Sequence, residues 1–175
     1  RREGVLAGFA KAGLAEATTA QLRGDFSLRS GHAAAAQLLQ MTTRPTAVFC
    51  DNDEMAIGLI NGLSQAGMRV PQDISVVGFD NIEMSAYALP PLTTIRQHRD
   101  RLGRHAATAL LARINAQQTP EDEVLPVELL LRASTALVTG DVATLKAIAG
   151  AKSAVEEADE GAAEGERLVR AEAGS

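Results

Sequence analysis

The chain has 175 residues, 46% of them apolar and 22% charged, with a formal net charge of −5, which fits a globular domain with a real core, or a domain plus a tail. No apolar run approaches the roughly 18–20 residues that span a bilayer, and no apolar segment stands behind Arg1-Arg2-Glu3-Gly4, so the expectation is a cytoplasmic protein without a membrane segment. One cysteine, Cys50, excludes a disulfide framework and a thiolate metal site, and the chain as a whole lacks the clustered Lys/Arg of a duplex-binding surface.

In chain order, residues 2–16 place Val5, Phe9 and Ala12 at helical spacing, and residues 20–26 read as a short extended stretch around Leu22 and Phe26, with a strand over 20–24. Ser30–Met41 begins on a cap candidate and carries Ala34, Leu38 and Met41 on one face. Thr46–Cys50 is a compact apolar strand. Asp53–Ala66 is helical, with Met55, Leu59 and Leu63 spaced by four and Gly67 placed as a C′ glycine. Ile74–Phe79 is a second buried strand, so the order βαβαβ predicts a parallel sheet covered by helices. After Pro90-Pro91, Leu92–Ile95 is briefly extended, Gln97–Asn115 is a long helix with Leu102, Ala106, Leu110 and Ile114 on a stripe, and Val124–Arg132 is a last strand. From Asp141 to Ser175 the chain holds eight acids, four bases, ten alanines and four glycines. A helix over 141–159 with a thin apolar stripe, followed by disorder, is expected there.

Ligands of open parallel sheets bind beyond the carboxyl ends of the strands. Three loops meet that description: Gly24-Asp25-Phe26, Asp51-Asn52-Asp53 and Asp80-Asn81. Sharing one rim, they would offer an aromatic face, an amide and several carboxylates, a set suited to a polyhydroxylated or heterocyclic small molecule. Each residue also has a structural alternative. Asp53 serves equally as the N-cap of its helix, leaving Asn52 to face the crevice; Asp80 as the cap of a turn around Ile82–Ala86; Phe26 as a core residue; Asp25 as a turn former. The arginines at 96, 99, 101 and 104, with His98 and His105, read as a solvated helix face. The histidines are too scattered for a metal site, and no nucleophile meets a base, so neither a metal, a cofactor nor an enzymatic activity is expected.

The stretch "RPTAVFCDNDEMAIGLINGLSQAGMRVPQDISVVGFDN" (residues 44–81), with "PPLTTI" (90–95) and "VELLLRAST" (127–135), resembles the effector-binding core of the lactose/purine repressor (LacI/GalR) family of bacterial transcription regulators, over about Gly8 to Thr135. The resemblance implies a periplasmic-binding-protein-like α/β fold of two lobes with effector in the cleft. Residues 1–136 would form part of that domain, mainly its C-terminal lobe, with residues 96–123 crossing to a first lobe largely outside this chain, and 137–175 a tail without counterpart. It also implies a homodimer in the full-length protein, a sugar, sugar acid or nucleoside effector, and operator DNA bound only through an N-terminal helix-turn-helix outside the chain. Matched by motif, the effector contacts are Phe26, Asn52 with Asp53 beside it, and Asp80. Val5 stands where the family places an effector-contacting arginine. The other expectations are a solute-binding protein of a transport system, which shares the fold, or a truncated, non-functional remnant.

Overall fold

The computed structural model describes residues 1–13, 20–115 and 124–137; the expected helix over 141–159 and residues 14–16 of the expected first helix lie outside them. The chain divides into two units, one of residues 1–19 and 137–175 and one of residues 20–136. In the first, helix α1 (Arg2–Lys11) covers the first part of the expected 2–16, stops before Ala12, and buries none of its residues.

The second unit is built on a four-stranded sheet in the order β1 (Ala47–Phe49), β2 (Ser75–Phe79), β3 (Thr93–Gln97), β4 (Val127–Leu130). The first three strands are parallel, and β4 pairs antiparallel with β3. The sheet is therefore mixed and mostly parallel rather than wholly parallel. It departs from the expectation at two further places. Gln97, expected as the first residue of the long helix, instead ends β3, and the helix starts at Arg99. Residues 20–25 form no strand pairing among the described residues, and all are exposed. Leu22 alone is apolar between Gln21 and Gly24, too little to bury a strand, and the stretch ends in local polar bonds. Asp25 accepts from Ser27 N–H (3.1 Å), and Ser27 Oγ caps the following helix by accepting from Ser30 N–H (3.1 Å). Helix α2 (Leu28–Leu39) is thus capped by Ser27, three residues before the expected cap, Ser30.

Helices α2 and α3 (Asp53–Gln65) supply most of the core, with Ala35, Leu38, Ala56, Leu59, Ile60 and Leu63 packed on Ile74, Val76 and Leu92. Burial of side chains such as Leu59 and Leu63 contributes about 1.5–3 kcal/mol each. The two helices approach closely because their crossing is glycine on both sides. A Cβ at Gly31 would overlap the Met55 carbonyl, and one at Gly58 would overlap the Leu28 carbonyl. Gly67, at φ +80°, follows the end of α3 as the sequence predicts.

The segment after β4 runs back along the starts of β2 and β3. Val76 N–H donates to Ser134 O (2.8 Å), Thr93 N–H to Ser134 Oγ (2.8 Å), and Ser134 Oγ to Val76 O (2.6 Å). Ser134 is fully buried. Ser134→Ala leaves Thr93 N–H without its acceptor, and a loss of about 1–3 kcal/mol is expected in urea denaturation followed by circular dichroism.

Helix α5 (Arg99–Ile114) keeps the helical stripe predicted for it but leaves it uncovered: Leu102, Leu110 and Ile114 are 52–67% exposed. Val127, Leu129 and Leu131 are also exposed. Only Ala112 of α5 is buried.

Candidate functional site

Because β1, β2 and β3 run in one direction, their carboxyl ends open onto a common edge, and the loops at Asp51–Asn52 and Asp80–Asn81 leave from it together with Gln97. Phe49 and Phe79 lie beneath it as an edge-to-face pair, 6.4 Å between ring centroids. Phe26 reaches this edge through a loop, not from a strand end as the sequence predicts.

The start of α3 fastens that loop. Asn52 is the N-cap, in extended backbone (φ −151°), and its Oδ1 accepts from Met55 N–H at 2.9 Å. Its Nδ2 donates to Phe26 O at 2.8 Å. Cap and rim amide are therefore the same residue, whereas the sequence offered Asp53 for the first role. Phe26 itself is 54% exposed, outside the core, with φ +64°.

Asp53 is placed differently from its neighbours. It is the first residue of α3 and fully buried. Its Oδ2 accepts from Ile82 N–H at 2.8 Å and its Oδ1 from Thr94 Oγ1 at 2.5 Å. It lies under the edge instead of on it. Burial pushes its carboxyl above the ordinary range, aided by the charge of Asp80 and opposed by the bonds from Thr94 and Ile82 and by Arg132. The adjacent helix N-terminus favours an anion at this point.

Asp80 is half-buried, at φ +110°, and Asn81 follows at φ +51°. Non-glycine residues held there cost about 1–3 kcal/mol each, so the surrounding bonds must hold the loop. Gln97 Nε2 donates to Asp80 Oδ1 at 2.7 Å, and Asp80 N–H to Ile95 O at 2.8 Å. Asn81 N–H donates to Thr94 Oγ1 at 3.4 Å. Arg132 adds a clamp: its guanidinium donates to Asn81 Oδ1 (2.8 Å), Ser85 Oγ (3.0 Å) and Leu92 O (2.8 Å), joining the loop to helix α4 (Glu83–Tyr87) and to the residue before β3.

The structure thus brings Phe26, Asn52 and Asp80 to one edge and sets Asp53 beneath them. Thr94, Gln97 and Arg132 are additions that sequence reasoning passed over. Their signal was present in part: two threonines buried in one short strand, and one arginine ending the run "VELLLR", are polar groups that need partners. Asp25 is a turn residue, its carboxyl held down at about 2 by hydrogen bonds from Ser27 and Ser30. Cys50 is a buried thiol pushed up to about 12 by burial. Val5 lies on α1. A shallow apolar depression between α2 and α3, lined by Leu28, His32, Ile57 and Asn61 among others, includes none of the edge residues. Among the described residues no group of three His, Cys, Asp or Glu could hold a metal ion, and no helix is long and apolar enough to cross a membrane.

Residues 1–135 match the family described as "Periplasmic binding protein-like domain". The transcriptional repressor PurR of Vibrio atlanticus is 50% identical over 93 residues, 53% of this chain and 28% of that protein. A LacI-family regulator of Enterococcus faecium, solved with bound ribose, superposes with a TM-score of 0.70 at 38% identity, covering 78% of this chain and 51% of that one. A dimeric Lac repressor with a C-terminal deletion gives 0.70 at 36% identity, covering 77% and 49%. The chain spans about a quarter of the PurR repressor's length and about half of each solved regulator. These relatives are transcription regulators, not enzymes. The chain belongs to the periplasmic-binding-protein-like domain family and, within it, is an effector-binding domain of the lactose/purine repressor (LacI/GalR) type.

Proposed function

We propose that the chain is the ligand-sensing portion of a cytoplasmic bacterial transcriptional repressor, taking a pentose or a pentose-bearing nucleoside at the edge formed by Phe26, Asn52 and Asp80. The observation that carries this reading is the strained Asp80–Asn81 loop, at φ +110° and +51°, held by consecutive amides on the edge where Asn52 ties in Phe26. Asp80, oriented by Gln97, supplies an anionic acceptor for adjacent hydroxyls, and the exposed Phe26 ring supplies a face for a sugar or a base. The ribose held by the Enterococcus regulator supports the pentose class. A sugar acid fits less well, since an acidic ligand would meet the Asp80 carboxylate.

The uncovered stripe of α5, with exposed Leu102, Leu110 and Ile114, supports assigning that helix to a neighbouring lobe, with residues 20–97 and 127–136 forming the C-terminal one. Operator DNA is bound through a domain outside this chain. Met84, Tyr87 and Leu89, 58–87% exposed, form the contact of a homodimer, consistent with the dimeric Lac repressor among the structural neighbours. Calorimetric titration with D-ribose, other pentoses, nucleosides and sugar acids tests the reading. Saturable heat with a pentose or nucleoside is expected; heat only with sugar acids, or with none of them, would remove the pentose assignment.

A further inference from the structure

We propose that Asp53 is the positioning residue of the Asp80 loop: it touches no effector, but fixes the backbone from which Asp80 is presented. The inference rests on the sensor reading for its functional consequence, and on the bonds around Asp53 for its physical part.

Three consecutive amides hold the loop. Asp80 N–H donates to Ile95 O, Asn81 N–H to Thr94 Oγ1, and Ile82 N–H to Asp53 Oδ2. The first two acceptors belong to β3, and the third comes from α3. Thr94 Oγ1 itself donates to Asp53 Oδ1, so the Asn81 bond also runs back to the same carboxylate. Two of the three anchors of a strained loop therefore depend on one buried side chain.

The sheet makes room for that side chain. Gly78 lies in β2 beside the carboxylate, where a Cβ would overlap Asp53 Oδ1 and come within 2.8 Å of Leu92 Cδ2. A close carboxylate is thus built into the strand by the absence of a side chain. Asn52, one residue earlier, holds the Phe26 loop through Phe26 O. The first turn of α3 consequently ties down both sides of the edge, Asn52 on one and Asp53 on the other. A shift of α3 along its axis would move both together.

Amide hydrogen exchange separates this role from a merely structural one, because it reports residue by residue and requires no ligand. In Asp53→Ala, exchange at Ile82 is expected to rise about tenfold or more, the effect of losing one buried acceptor, while Val76 and Val77 in β2 keep their protection. Asp53→Asn restores protection at Ile82, since its Oδ1 accepts from Ile82 N–H and its Nδ2 donates to Thr94 Oγ1. D-ribose affinity measured on the same proteins should fall about tenfold in Asp53→Ala and recover in Asp53→Asn. Should Asp53→Ala not fold, Thr94→Val removes the second anchor at nearly constant volume, with faster exchange expected at Asn81 and weakened D-ribose binding. Unchanged exchange at Ile82, or equal acceleration across β2, would overturn the proposal. Faster exchange confined to the loop, together with D-ribose affinity that neither Asp53→Ala nor Asp80→Ala alters, would refute the sensor reading and with it the functional half of the inference, while upholding the anchoring.

Discussion

Gly58→Ala is expected to destabilise the α/β unit by about 3 kcal/mol, although alanine ordinarily stabilises a helix interior by about 1 kcal/mol over glycine. The reversal of sign follows from the α2–α3 crossing. A Cβ at Gly58 overlaps the Leu28 carbonyl and meets His32 N at 3.0 Å, and both are backbone atoms that cannot swing aside as a flexible side chain can. Relief would require α2 to move away from α3, opening the contacts of Ala35 and Leu38 with the core. Gly31→Ala should behave alike, since its Cβ would overlap the Met55 carbonyl on the reciprocal side. Gly103→Ala is the control: it lies within α5 with nothing within 4 Å of its added Cβ, and a gain of up to about 1 kcal/mol is expected. Urea denaturation followed by far-ultraviolet circular dichroism measures all three. Equal, small effects at Gly58 and Gly103 would mean that the close crossing is absent.

Much of this fold was legible in the sequence because its helices and strands obey simple periodicities. Leu59 and Leu63, four apart, fall in the core, and the apolar runs at Thr46–Cys50 and Ile74–Phe79 become β1 and β2 with little change in bounds. The errors lie where local polar chemistry competes with pattern. Residues 20–24 looked extended but contain too little apolar surface to be drawn into a sheet. Helix α2 is capped by Ser27 instead of Ser30 because both serines can cap, and only the geometry of the Asp25 turn selects between them. The exchange of roles between Asn52 and Asp53 has a similar origin. Either side chain caps a helix well, and the decision comes from the space beside Gly78 and the donors at Thr94 and Ile82, contributed by residues 25 to 41 positions away. The Arg132 clamp and the Ser134 bridge likewise join residues 40 to 58 positions apart. Such long-range bonds leave only an indirect trace in the sequence, a polar residue where an apolar one would pack.

Asp80 is expected to carry the largest share of effector binding. Its carboxylate is oriented by Gln97 Nε2 at 2.7 Å, and its backbone is held at φ +110° by Ile95 O and the Asp53–Thr94 pair below. A carboxylate fixed in this way meets two ligand hydroxyls without first losing conformational freedom, and hydrogen bonds to a charged acceptor are worth about 1.5–3 kcal/mol each. Asp80→Ala removes the acceptor and leaves Gln97 without this partner, while the core of α2, α3 and the sheet is untouched. Its thermal transition should therefore stay close to that of the unaltered protein. Side-by-side calorimetric titration of the unaltered protein and Asp80→Ala with the pentose or nucleoside that binds is the direct test. Affinity is expected to fall about 100-fold or more in the variant, equivalent to about 3 kcal/mol; equal affinity in two equally folded proteins would show that Asp80 does not touch the effector.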